Sequence, residues 1–389
     1  MARDERQTAQ RSDETVEQAG QSSRRGVLTA GAGLATTGLL AGCLGSSKSG
    51  ESDESYTVSI EPAGEVEFES VPESWANYNG AWADMAVALG HSDGVTALDS
   101  MAPSLFYDEL PGVSLDYDVP ELSTDGFDKE LFYELDSDVH LVDPNLILHF
   151  DDNWDQSDID EIAEQVGPFF ASNSRRKRDF HDYRFYSLEE CFEASAELFQ
   201  ERERYEQLSE LRSNVIADAQ ERVPPEAARP EIALLNGGSE PANDRLYLLN
   251  LQGEGYEMQT YRDLGVKNAF DPDQTGWADY EPLIEADPDA IIIHWGIEEY
   301  SKGTFESTFV EPMQADQTAN EIEAVREGRI YPGAYGEQGP IINLFQTELT
   351  AKTVYPETFG EWQDVGDIPE SQQLFDRQRV AEIVTGDTE

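Results

Sequence analysis

Residues 187–223 carry one uninterrupted helical pattern, and so long a segment in mid-chain restricts the possible folds more than any other feature. Ser187, with Glu190 three residues on, is a capping-box start. Leu188, Cys191, Phe192, Ser195, Leu198, Phe199, Tyr205, Leu208, Leu211, Val215 and Ala219 then recur along one face, and Pro224-Pro225 ends the run. At the usual rise per residue this helix would be about 50 Å long. A coiled-coil arm would need a partner helix to cover the stripe; a helix laid along two lobes covers it within one chain. On both sides, short apolar runs alternate with amphipathic stretches, the pattern of an α/β fold. Strands are predicted at Ser74–Asn77, Gly94–Leu98, Val139–Val142 and Val166–Ala171, then at Glu231–Leu235, Ala290–His294 and Gly328–Tyr331. The chain thus divides into a first lobe at 56–186, a connecting helix at 187–223 and a second lobe at 224–389.

An internal repeat supports two lobes. The segment 130–142 aligns with 281–293, matching Glu130 to Glu281, Glu134 to Glu285, Asp136 to Asp287 and Asp138 to Asp289. Each copy reads as a short acidic helix, an Asp-x-Asp turn and a buried strand.

The chain has 389 residues, with 26 Lys and Arg against 80 Asp and Glu, a formal charge of −54. Such a polyanion excludes nucleic acid and anionic membrane surfaces as partners. Hydrophobic residues at 39% are enough to build cores. Acid spread along the whole chain, with Lys scarce, resembles proteins of salt-loving archaea. In concentrated salt, charges only a few ångströms apart are already screened.

Residues 1–42 read as an export signal. Ser23-Arg24-Arg25-Gly26-Val27-Leu28 opens a weakly apolar stretch ending in Leu40-Ala41-Gly42-Cys43, which resembles a twin-arginine signal with a lipoprotein cleavage box. The stretch is too short and too rich in Gly and Thr for a membrane span. Cys43 is the expected lipidation site, and 43–55 a flexible polar tether. The one other thiol, Cys191, lies in the helical stripe and reads as buried and inert.

An exported, lipid-anchored, two-lobed α/β chain resembles the class III solute-binding proteins, which serve ABC importers of ferric siderophores, haem and cobalamin. The motifs occur in that family's order: Val71-Pro72-Glu73-Ser74-Trp75, Ala88-Leu89-Gly90 and Gly94-Val95 at the start; Glu130 through Val139, with Ser137 where Pro is usual; Leu264-Gly265-Val266-Lys267-Asn268; Glu281 through Ile292; and Ala324 through Tyr331. The usual Ser-Pro-Ser loop is replaced by Asn77-Tyr78-Asn79-Gly80. The resemblance implies two Rossmann-like lobes joined by a single long rigid helix, with modest hinge motion. It also implies a monomeric receptor on the extracellular face of the cell membrane, touching the membrane only through its lipid, that hands a solute to a permease dimer with its ATPase. Glu130 and Glu281 correspond to the carboxylates that dock on that permease.

Loops at strand ends should line the cleft. In the first lobe these place Trp75, Tyr78, Asn79 and Trp82, then Arg175, Arg176, Lys177 and Arg178, four consecutive cations in an acidic chain. Guanidinium groups there would suit an anionic iron chelate, or would pair with neighbouring carboxylates. The second lobe offers Arg245, Tyr247, Trp277, Trp295 and Tyr335, aromatic cover for a bulky chelate. No resident cofactor is expected. The five His show no close pair at metal-ligand spacing, which argues against a bare-metal site, although His181, Asp182 and Tyr183 could form a loop ligand set. No nucleophile elbow, phosphate loop or zinc-protease motif occurs, so a secreted hydrolase or a non-transport surface lipoprotein is the lesser reading.

Overall fold

The computed structural model describes residues 55–98, 105–251, 253–299 and 302–386. The export signal, Cys43 and the tether up to residue 54 lie outside the described residues. Among those described, no helix is long and apolar enough to cross a membrane.

The alternating sequence Tyr56–Ile60 (β1) pairs with Gly64–Phe68 (β2) as an antiparallel hairpin whose Val58, Ile60 and Phe68 enter the first-lobe core. A parallel sheet follows in the order β4–β3–β5, formed by Trp75–Asn77 (β3), Val95–Ala97 (β4) and Val139–Leu141 (β5). β3 and β5 are buried at every residue, as strands covered on both faces must be. Between β3 and β4 lies helix α1, Gly80–Ala88, with all nine residues buried. The expected strand at 166–171 is reduced to one parallel bridge, His140 to Phe169. Pro168 has no N–H to extend the ladder there.

The repeat is real in three dimensions. Helix α2 (Lys129–Leu135) ends at Asp136 in the left-handed conformation, φ 47°, and helix α8 (Glu281–Ala286) ends at Asp287, φ 41°. Two residues later Asp138 accepts hydrogen bonds from Glu73 N and Ser74 N at 2.9 Å, tying the strand that follows it, β5, to the start of β3. Asp289 does the same in the second lobe, accepting from Glu231 N at 2.8 Å, where β10 (Ala290–His294) runs parallel to β6 (Glu231–Asn236). The first Asp of each Asp-x-Asp tolerates the turn; the second stitches neighbouring strands. Ser137, in the place of Pro288, shares a 2.7 Å hydrogen bond with Thr96 of β4.

The second-lobe sheet has the order β11–β10–β6–β7–β9, with β8 (Lys267–Asn268) parallel to the start of β6. Its parallel part, completed by β11 (Ile330–Pro332), is extended by the antiparallel strands β7 (Leu246–Leu248) and β9 (Gly276–Ala278), which the sequence pattern did not reveal.

Two α/β lobes joined by a helix are present, but the joining helix is shorter than 187–223. Gln200 adopts φ 55° and closes helix α5 (Leu188–Phe199); helix α6 runs over Arg202–Arg222. The first buries its stripe in the first-lobe core, while α6 carries Tyr205 and Leu208 in that core and Ala219 in the second. Helix α9, Pro340–Val354, also spans both: Ile341, Ile342, Leu344, Phe345 and Leu349 pack in the first core, Ala351 and Val354 in the second. Residues of the C-terminal helix α10 (Arg377–Thr385), which chain order assigns to 224–389, pack in the first-lobe core through Val380, Ala381, Ile383 and Val384. The lobes are therefore braced by two helices rather than one rod.

Candidate functional site

The lobes meet where the segment 171–178 of the first faces Glu257, the end of β10 and the loop 333–339 of the second. That loop reads Gly-Ala-Tyr-Gly-Glu-Gln-Gly. A Cβ on Gly336 would run into the Trp295 ring and the Arg175 guanidinium, and one on Gly339 into the Asp84 carboxylate of α1. The glycines let the loop pass between lobes, and Glu337 is carried in with it.

There it meets a buried charge cluster. Arg175 Nε lies 2.9 Å from Glu337 Oε1, and Arg175 Nη1 lies 3.9 Å from Glu257 Oε1. Arg176 grips Glu257 through two bonds, Nε to Oε2 and Nη2 to Oε1, each 2.6 Å. Glu257 Oε1 also receives the Trp295 indole N–H at 3.2 Å and lies 3.2 Å from His294 Nε2. Burial works to raise the Glu257 carboxyl, but Arg176 and Arg175 outweigh it and hold it well below the usual carboxylate range. Glu337, with the weaker partnership, is raised by burial against the opposing Arg175. Burial also lowers His294, so it stands neutral beside Glu257. Trp295 adopts φ +73°, a genuine outlier for a bulky residue. Its N–H donates to Ala334 O at 2.8 Å, and its ring lies 4.9 Å from Tyr335 and 5.2 Å from the Arg175 guanidinium.

The four cations separate. Three are paired with carboxylates, Lys177 with exposed Glu254 at 2.5 Å. Arg178 forms no ion pair among the described residues: its guanidinium sits 5.6 Å over the Phe150 ring, and its Nε is buried without an acceptor. Burial, then Arg175 and Arg176, push Arg178 down to about 10, so it remains charged at neutrality. Arg175 Nη1 is also buried without a hydrogen-bond acceptor. A buried donor left unmet costs about 1–3 kcal/mol. Here Arg178 Nε and Arg175 Nη1 are in that condition, and so is Arg175 Nε, which lies 2.9 Å from Glu337 without a hydrogen bond to it.

The loop that presents them is internally braced. Asp143 accepts from Asn173 N at 2.9 Å and from the Tyr183 hydroxyl. His181 Nδ1 accepts from Arg178 N at 2.7 Å, and its Nε2 lies 2.8 Å from Asn173 O. With both ring nitrogens engaged, His181 positions the loop and is no metal ligand as it stands. No group of three or more His, Cys, Asp or Glu able to hold a metal ion occurs among the described residues.

The remaining sequence candidates divide. Tyr78 is half-buried, 4.8 Å from Phe127 and 6.5 Å from Phe150, the ring that Arg178 overlies. Tyr247 stands edge-on to Trp277 at 5.1 Å; Arg245 stacks on Trp277 at 3.7 Å and lies 3.4 Å from Glu240. Trp295 and Tyr335 belong to the cluster itself. Trp75 and Trp82 do not line it: both are fully buried in the first-lobe core, donating to His91 O and Ser172 O. Asn79 is spent as the cap of α1, accepting from Ala81 N at 3.1 Å. Glu130 and Glu281 are exposed on the first turns of the equivalent helices α2 and α8. Glu257, Glu337 and Phe150 were missed; the glycines spaced by three around Glu337 were the available signal.

The arrangement is that of two α/β lobes with a buried charge cluster at their junction. The chain belongs to the Periplasmic binding protein family, which matches residues 77–333. This is a family of extracytoplasmic solute-binding proteins rather than enzymes. Among solved structures it is similar to nickel-bound CeuE of Helicobacter pylori, at 14% identity and TM-score 0.56, covering 86% of this chain and 97% of that one. The petrobactin-binding protein YclQ of Bacillus subtilis matches at 15% identity and TM-score 0.54, covering 78% and 99%. The siderophore-binding protein BauB, bound to ferric iron and two acinetobactin molecules, matches at 13% identity and TM-score 0.54, covering 79% and 100%. A search of curated proteins found no match.

Proposed function

We propose that the protein captures an anionic ferric chelate between its lobes and delivers it to an ABC permease and its ATPase, after export and lipid attachment at Cys43. The observation that carries this is Arg178: a half-buried guanidinium on an aromatic face with no ion pair among the described residues, in a chain where 80 carboxylates were available to pair it. A ligand oxygen is the acceptor that this group and Arg175 Nη1 lack. Tyr78 and Phe150 on one side, and Tyr247 and Trp277 on the other, supply apolar cover for a bulky complex. The same fold in BauB holds a ferric siderophore, which supports the ligand class. Glu130 and Glu281, one per lobe and equivalent in the repeat, are the proposed contacts to cationic pockets of the permease.

The test follows tryptophan fluorescence and melting temperature of the mature protein in concentrated salt, against ferric siderophores, free ferric iron, haem and cobalamin. Saturable quenching and a raised melting temperature with an anionic siderophore are expected. Arg178→Gln should weaken that complex about tenfold, roughly the value of a charge-assisted hydrogen bond. Silence towards every siderophore by a folded protein would defeat the reading, as would tight binding of cobalamin or haem alone.

A further inference from the structure

We infer that Glu257 and Glu337 are internal counter-ions that set the charge of the chelate, so that the site takes a singly anionic complex and discriminates against highly anionic ones. This rests on the reading of the lobe junction as the chelate site. Three guanidinium groups stand there, and a receptor for a multiply charged anion would leave all three open. Instead Glu257, 3% exposed, takes the Nε/Nη2 edge of Arg176 through two hydrogen bonds. Glu337, 2% exposed, takes the Nε side of Arg175. His294 is fully buried and adds no charge. One uncompensated positive charge remains, on Arg178.

These carboxylates are fixed in place. Glu257 is held by the Trp295 indole, and Gln338 Nε2 donates to the Tyr256 and Glu257 carbonyls at 3.0 Å. Glu337 sits between Gly336 and Gly339, whose missing side chains leave room for Arg175 and Asp84. The arginines come from one lobe and the glutamates from the other, so a ligand entering between them meets neutralised pairs. A second ligand charge therefore finds no uncompensated cation there: an unneutralised guanidinium about 6 Å away would favour it by about a hundredfold in affinity at an effective dielectric near 20, and by about tenfold once solvent at the cleft mouth is allowed for. The −54 charge of the chain acts in the same direction.

The experiment compares ferrioxamine B in its cationic free-amine, neutral N-acetyl and singly anionic N-succinyl forms with triply anionic ferric enterobactin, titrated against the mature protein by fluorescence. The wild type should favour the singly anionic form over the triply anionic one. Glu337→Gln should shift the ratio of triply anionic to neutral binding about tenfold towards the triply anionic complex, and Arg178→Gln should shift it the other way. Ratios compared between variants cancel differences in chelate shape, and opposite shifts cannot arise from a shared loss of folding. Wild-type preference for the triply anionic chelate, or ratios unmoved by Glu337→Gln, would overturn the inference while leaving a chelate receptor standing. Binding of none of the four would remove the receptor reading itself.

Discussion

Replacing Asp84 by Asn should abolish a pH dependence of stability that the wild type carries between acid and neutral conditions. Asp84 lies fully buried on α1 and accepts from Ile341 N at 2.9 Å, Ile342 N at 3.2 Å and the Tyr107 hydroxyl at 2.7 Å. It thereby caps α9, one of the two helices that brace the lobes. Burial outweighs these bonds and raises its pKa to about 7. Because the folded value lies above the unfolded one, its contribution is fully present in acid. It is lost as pH rises through about 7. A shift of about three units corresponds to roughly 4 kcal/mol in all, of which about 2–3 kcal/mol falls between pH 5 and 8. Asn keeps an acceptor for the two helix N–H groups and cannot ionise. Denaturant melts of both proteins in concentrated salt at pH 5, 6.5 and 8 should therefore show the variant gaining on the wild type by that amount as pH rises. Parallel profiles would refute the reasoning, because they would mean that Asp84 ionises in the folded protein as easily as in the unfolded one.

Two further substitutions probe the architecture. Gly336→Ala places a methyl against the Trp295 ring and Arg175, so the loop or the ring must move; a loss of about 1–3 kcal/mol is expected, with altered near-ultraviolet dichroism from Trp295. At the helix break, Gln200→Gly should stay within about 0.5 kcal/mol of the wild type, whereas Gln200→Val should cost about 1–2 kcal/mol because a β-branched residue resists the left-handed conformation. Equal melts for the two Gln200 variants would show that the break is not held in that conformation.

The features legible in the sequence were those whose cause is local. The capping box at Ser187, where Glu190 N donates to Ser187 Oγ at 3.1 Å, and the buried strands at 139–141, 231–236 and 290–294 announce themselves by pattern. The Asp-x-Asp repeat was visible too, although its use in tying adjacent strands required the fold. The break at Gln200 was not visible: the apolar stripe passes through it, and neither Gly nor Pro marks it. The antiparallel strands β7 and β9 are three residues each, too short for an alternation to register.

For the site the division is sharper, and it follows from charge. A run of four cations stands out in an acidic chain, so the arginines could be found from sequence; their partners could not, because Glu257 and Glu337 are two carboxylates among 80. What distinguishes them is burial in the opposite lobe, a property of the assembled fold and not of their neighbours in sequence. Pairing also explains why Arg178 is the informative member of the run. Arg175, Arg176 and Lys177 each have a carboxylate, so their positive charge alone indicates nothing about a ligand. Arg178 has none among the described residues of this acidic chain, and leaving it so costs stability unless something else supplies the acceptor. That this guanidinium, with dozens of carboxylates in the chain, is instead set against an aromatic ring at the lobe junction is what supports the proposed anion site.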